Sequence, residues 1–168
     1  MGSIDLEQLS YWYDTYGAQL VLYARGRLDW ANAEDVVQEV FVQLMGQRRR
    51  PDNVRAWLFR AVRNAAVSQL RHRARWKKLN DRLTAERTSW FESHPDDLID
   101  ARMAQTILES LPLEQREVVV LRIWGQMTLK EVAQITDRPI STVHSRYKSA
   151  LEAIKKKMGL SLCKTKKT

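Results

Sequence analysis

Cysteine is almost missing from this 168-residue chain: Cys163, in a polar C-terminal stretch, is the only one. One thiol can build neither an intrachain disulfide framework nor a cysteine-based metal site, so packing alone must hold the core. Glycine is scarce at six residues, proline scarcer at four, and long alternating Val/Ile/Thr runs do not occur. The turn chemistry of an all-β protein is therefore lacking, while helix formers abound. No window approaches the ~20 apolar residues of a membrane span. The opening Met1-Gly2-Ser3-Ile4-Asp5 has no basic stretch followed by an apolar one, and Leu6 stands where a myristoylation signal needs Ser or Thr. A soluble, intracellular, all-α protein is expected, and 44% apolar content suffices for packed cores.

Catalytic apparatus is also hard to find. The glycines never assemble a phosphate loop, no His-Glu-x-x-His spacing occurs, and His72, His94 and His144 are scattered singly. The cluster His94-Pro95-Asp96-Asp97 falls in a stretch without helical period, which cannot preorganise a metal. The sequence therefore predicts no catalytic residue, no metal site and no cofactor, and a protein that is not an enzyme.

What is present is charge, arranged in blocks. The net charge is +8, made of −5 over residues 1–45, +10 over 46–78, −4 over 79–110 and +7 over 111–168. Alternating blocks of this size point to two separate polyanion contacts, because each Lys or Arg set against a phosphate releases a counterion.

Helical periodicity organises the first block. From Leu9, the residues Trp12, Tyr13, Tyr16, Leu20 and Tyr23 form one apolar stripe. After a break at Leu28-Asp29-Trp30, Asn32 can cap a second helix whose stripe is Ala33, Val36, Val37, Val40, Phe41 and Leu44, with Asp35, Gln38, Glu39 and Val42 on or beside the other face. Gly46 to Asn53 is a loop, and Asn53 can cap a third helix. There Val54, Trp57, Leu58, Ala61, Val62, Ala65 and Leu70 make the apolar side, with Trp57 assigned to the core and Phe59 left open, while Arg55, Arg60, Arg63, Arg71, Arg73 and Arg75 project elsewhere. Three such helices can close a small bundle over residues 1–78. Residues 79–97 lose periodicity and are expected to be a linker, with Trp90 and Phe91 unexplained. A second helical bundle is expected over 98–158, followed by a basic tail over 159–168.

The second bundle carries the clearest motif. Thr128-Leu129-Lys130-Glu131 is a capping box that opens a short helix with Val132, Ala133 and Ile135 inside. Asp137-Arg138-Pro139 makes a turn, and Ser141 is expected to cap the next helix. Its inward stripe is Val143, Tyr147, Ala150, Leu151 and Ile154, leaving Thr142, His144, Ser145, Arg146, Lys148 and Ser149 outward or sideways. Short polar and cationic groups at the front of a helix suit entry into a major groove, so residues 111–158 are expected to bind duplex DNA as a helix-turn-helix.

Two stretches together resemble the extracytoplasmic-function class of bacterial RNA polymerase sigma factors, in the sigma-70 family. The first is Ala33-Glu34-Asp35-Val36-Val37-Gln38-Glu39-Val40-Phe41, followed by Trp57-Leu58-Phe59 and Arg63-Asn64-Ala65; the second is Leu111-Pro112-Leu113-Glu114-Gln115-Arg116-Glu117-Val118 with Thr142-Val143-His144-Ser145-Arg146. The resemblance implies a cytoplasmic protein whose partners are core RNA polymerase (the largest-subunit clamp and the flap), promoter DNA and an anti-sigma factor. It implies that Asp35, Gln38, Glu39 and Val42 dock on the clamp. Arg48, Arg49, Arg50, Asn53, Arg60, Arg63, Asn64 and Arg71 would serve the −10 element, and Thr128, Ser141, Thr142, His144, Ser145, Arg146, Lys148 and Ser149 the −35 element. The triple arginine at 48–50, Ser141 in place of a common glycine and Ser149 in place of a frequent arginine depart from the family pattern. The alternative is a helix-turn-helix regulator that binds an operator without being a polymerase subunit.

Overall fold

The computed structural model describes residues 4–79, 104 and 106–165. Two compact units divide the chain, Met1–Thr88 and Ser89–Thr168, and every regular element among the described residues is helical. The expected linker lies outside the described residues except for Leu79.

In the first unit, helix α1 spans Leu6–Arg25 and starts where the Asp5 carboxylate accepts the Gln8 N–H at 2.7 Å, three residues before the sequence-based start. Trp12, Leu20 and Tyr23 are buried as expected. Tyr13 is instead exposed, with its ring edge-on to Phe41 at 5.1 Å. Helix α2 spans Trp30–Met45, and all six residues of its expected stripe are buried. Its cap is Asp29, which corrects the expectation of Asn32. The Asp29 carboxylate accepts the Asn32 N–H at 3.0 Å and its amide group at 2.5 Å, making Asn32 the third helical residue. A full negative charge is favoured at a helix N-terminus, and here a second helix reinforces it. Arg73 reaches Asp29 at 3.3 Å, and Gln69 donates to the Asn32 side-chain oxygen at 2.9 Å, so α2 is tied to the helix that follows.

The Asn32 N–H, aided by the Asn32 side chain and Arg73 and opposed by partial burial, lowers the Asp29 carboxyl below its ordinary value. A carboxylate depressed in the folded state contributes stability that is present above its unfolded value and is lost as pH falls through the folded one. Asp29→Asn is therefore expected to lower the urea midpoint at neutral pH and to flatten its acid decline. An unchanged acid slope would show that Asp29 carries no such linkage.

Helix α3 spans Val54–Leu79 and is capped as expected by Asn53, whose side-chain oxygen accepts the Ala56 N–H at 3.0 Å. Its buried row is Val54, Leu58, Phe59, Val62 and Ala66. Phe59 is thus core, 1% exposed and 5.4 Å from the Tyr23 ring, while Trp57 is half-buried and Leu70 is exposed. The stripe is rotated by one residue from the expected phase because α3 packs on both α1 and α2, so the buried arc is wider than one helix contact would make it.

In the second unit, residues 106–109 are helical and bury Ile107 and Leu108. Pro112 holds the cap position of helix α4, Leu113–Ile123, which buries four consecutive apolar residues from Val118 to Leu121 and Glu117 before them. Helix α5, Leu129–Thr136, begins with the expected capping box: the Glu131 N–H donates to Thr128 Oγ1 at 3.2 Å and the Thr128 N–H to the Glu131 carboxylate at 2.7 Å. Asp137 closes α5 in the left-handed region at φ 54°, and helix α6 spans Ile140–Thr165. The Pro139 carbonyl accepts the Val143 N–H at 3.1 Å, so Pro139 takes the cap position and Ser141 is the second helical residue, not the cap. Proline suits the place because its fixed φ leads into a helix and only its carbonyl is needed there. Val143 and Ala150 are buried, with Tyr147, Leu151 and Ile154 half-buried. The backbone of α6 continues through residues 159–165, which the sequence assigns to a basic tail.

Candidate nucleic-acid interface

Helical spacing sets Asp35, Gln38, Glu39 and Val42 on one face of α2, and all four are exposed. Val42 is 65% exposed and Met45 50% exposed, so apolar groups sit among the acids. A groove of about 840 Å³ runs between α2 and α3, with Asp35 and Glu39 on its α2 wall and Trp57, Arg60, Asn64, His72 and Arg75 on its α3 wall. Ala61 and Ala65 line it beside Trp57. The His72 Nε2 accepts the Trp76 indole N–H at 2.8 Å.

The α3 wall is cationic by spacing. Arg60, Asn64, Arg71 and Arg75 follow steps of four, seven and four, which lays them along one side of the helix. Arg60, Asn64 and Arg71 are exposed, and Arg63 is half-buried on a flank. Arg48, Arg49 and Arg50 are exposed at the head of the same unit, but Arg50 lies 5.2 Å over the Trp12 ring. Asn53 is exposed, with its side-chain oxygen already engaged as the α3 cap. Sequence reasoning missed Arg75, Ser68 and His72 as groove residues; continuing the Arg60–Asn64 step of four along α3 would have found Ser68 and His72, with Arg75 three residues further on.

In the second unit, Ser141, His144, Ser145, Lys148 and Ser149 are exposed on the front half of α6, with Thr142 half-buried. Thr128 is exposed, but its hydroxyl and N–H both bond Glu131. Arg146 is not a free outward group, since its guanidinium pairs with Glu114 of α4. Arg122 went unnoticed in the sequence. It donates to the Met127 carbonyl and lies 5.7 Å from the Tyr147 ring, bracing the α4–α5 connection against the recognition helix. An apolar groove of about 390 Å³, also unforeseen, lies between Ile107, Leu108, Val119, Ile123, Ile154 and Met158.

One unit thus sets an exposed acidic face beside a cationic helix, and the other carries a capped helix-turn-helix. Residues 12–76 match the family model described as Sigma-70 region 2, and residues 101–154 match the one described as Sigma-70, region 4. This chain belongs to the sigma-70 family. Within it, the sigma factor is 31% identical over 170 residues to the RNA polymerase sigma-H factor of Pseudomonas aeruginosa, covering 92% of this chain and 85% of that protein. It is 31% identical over 139 residues to the ECF RNA polymerase sigma-E factor of Escherichia coli, covering 74% and 72%. The same fold occurs in the sigma factor RpoE of Bartonella quintana, solved with the anti-sigma factor NepR, at a TM-score of 0.75 and 22% identity over 89% of this chain and 95% of that one. These relatives set the sigma factor in the extracytoplasmic-function class. Sigma factors join core RNA polymerase and direct initiation by recognising −10 and −35 elements, and this one carries both regions. Among the described residues no helix is long and apolar enough to cross a membrane.

Proposed function

We propose that this sigma factor grips the clamp of core RNA polymerase with the α2 face of Asp35, Gln38, Glu39 and Val42. Residues 1–78 then form the −10 unit, in which Arg48, Arg49, Arg50, Asn53, Arg60, Arg63, Asn64 and Arg71 meet the promoter. Residues 98–158 form the −35 unit, in which Thr128, Ser141, Thr142, His144, Ser145, Arg146, Lys148 and Ser149 serve the −35 duplex. The observation that carries the reading is the opposition of charge across one groove: an exposed acidic helix suits a basic protein partner, and the adjacent cationic helix suits a phosphate backbone. The apolar groove of the second unit is the surface offered to the polymerase flap. The protein acts in the cytoplasm as a binding subunit and not as an enzyme, and an anti-sigma factor, of the kind that accompanies the Bartonella quintana protein, holds it in reserve.

A single recognition helix binds weakly and in a salt-sensitive way. Docking on polymerase fixes the spacing of the two units and makes the second promoter contact effectively intramolecular. Combined Asp35→Ala and Gln38→Ala substitution is expected to weaken affinity for core polymerase about tenfold or more while leaving the circular dichroism spectrum unchanged. Titration of labelled core enzyme with each protein measures it, and unchanged affinity would remove α2 as the docking face.

A further inference from the structure

Arg146 stands in the second turn of the recognition helix, and its guanidinium is not left to solvent. Its Nη2 donates to the Glu114 carboxylate in the first turn of α4, 32 residues away in sequence. The Arg146 side chain is 20% exposed and that of Glu114 55% exposed, so the pair sits at the rim of the unit with the arginine inward. On α6, Arg146 lies one turn beyond Thr142 on the same half-buried flank, while His144 and Lys148 are exposed on the other.

An arginine has five N–H donors in a rigid fork, and the one bond to Glu114 leaves most of them for another acceptor. A solvated arginine would have to be ordered when DNA arrives, which costs affinity; one already held does not. We propose that Glu114 is a positioning residue for promoter recognition, holding Arg146 in the orientation in which its guanidinium meets a phosphate of the −35 duplex. This rests on Arg146 being a DNA contact. Glu114 itself touches no DNA and, as an anion near phosphates, opposes binding by its charge alone. Charge and positioning therefore act in opposite directions, and the test must separate them.

Glu114→Gln and Glu114→Ala remove the same charge, but only glutamine keeps an oxygen that can accept the Arg146 N–H. Full-length protein is assembled with core polymerase and titrated with a promoter fragment from which the native holoenzyme initiates. The alanine variant is expected to bind three- to tenfold more weakly than the glutamine variant. That gap is expected to vanish when both are combined with Arg146→Ala, as a double-mutant cycle reads it. A merely structural pair would lower the melting temperature of the alanine variant without opening an affinity gap between folded samples. Equal affinities for the two variants, with Arg146→Ala alone still weakening binding, would overturn the positioning role and leave Arg146 as a DNA contact. No effect of Arg146→Ala would overturn both.

Discussion

Truncating Phe59 to alanine is expected to cost the N-terminal unit about 3–5 kcal/mol, the range for deleting a buried phenyl ring from a packed core. Phe59 is 1% exposed, stacks obliquely on Tyr23 at 5.4 Å and stands between Leu58 and Val62, both with no exposed surface. The site has little freedom to collapse, since Tyr23 of α1 and the buried row of α3 are themselves packed core. Small domains hold only about 5–15 kcal/mol in total, so the loss removes a large share of the unit's stability. Urea unfolding of the full chain, followed by far-ultraviolet circular dichroism, should show the transition of this unit moving to lower denaturant while that of the helix-turn-helix unit stays in place. Trp57→Ala, on the groove wall, should move it less. A larger shift for Trp57 than for Phe59 would reverse the core assignment.

Gly125→Ala is expected to have a comparable effect on the second unit by the opposite route, overpacking. A methyl group at Gly125 would stand 2.6 Å from the Leu121 carbonyl oxygen and 3.2 Å from the Leu121 Cα, both backbone atoms of the last turn of α4. No side-chain rotation can relieve that contact. The same segment is closed by bonds from the Gly125 N–H to the Val120 carbonyl at 3.1 Å and from the Met127 N–H to the Leu121 carbonyl at 3.0 Å. Relief would unwind the helix end and withdraw Met127, which is fully buried. Overpacking of rigid cores costs about 1–3 kcal/mol, and a backbone obstruction belongs at or above the upper end. Because this junction sets how α5 and α6 pack against α4, affinity for a −35 duplex is expected to fall more than tenfold together with the melting temperature. Native-like binding and melting would mean that the junction tolerates a side chain.

What the sequence conveyed well is local. The capping box at Thr128–Glu131 depends on atoms three residues apart, and the α2 stripe depends on a period that a single packed face satisfies throughout. What it conveyed poorly depends on neighbours distant in the chain. Asp29 and Asn32 are both good caps, and the choice between them is reinforced by Arg73, 44 residues further on. On α3, the 100° between adjacent residues separates Trp57 from Leu58, and the phase of the buried arc is set by where α1 and α2 lie. The pairing of Glu114 with Arg146 leaves no periodic trace, since each charge also suits a solvated helix face. The α2–α3 groove is lined by Ala61 and Ala65 among larger side chains, and composition shows the small residues without showing what surrounds them.

The continuity of α6 turns recognition into a matter of leverage. Thr142 and Ser149 belong to the end proposed to read the promoter, while Ile154 and Met158 line the apolar groove further along the same rod. At about 1.5 Å per residue, Thr142 and Met158 are roughly 24 Å apart with no joint between them. Whatever seats in that groove holds the helix by its handle, so a small tilt there swings the blade that enters the DNA.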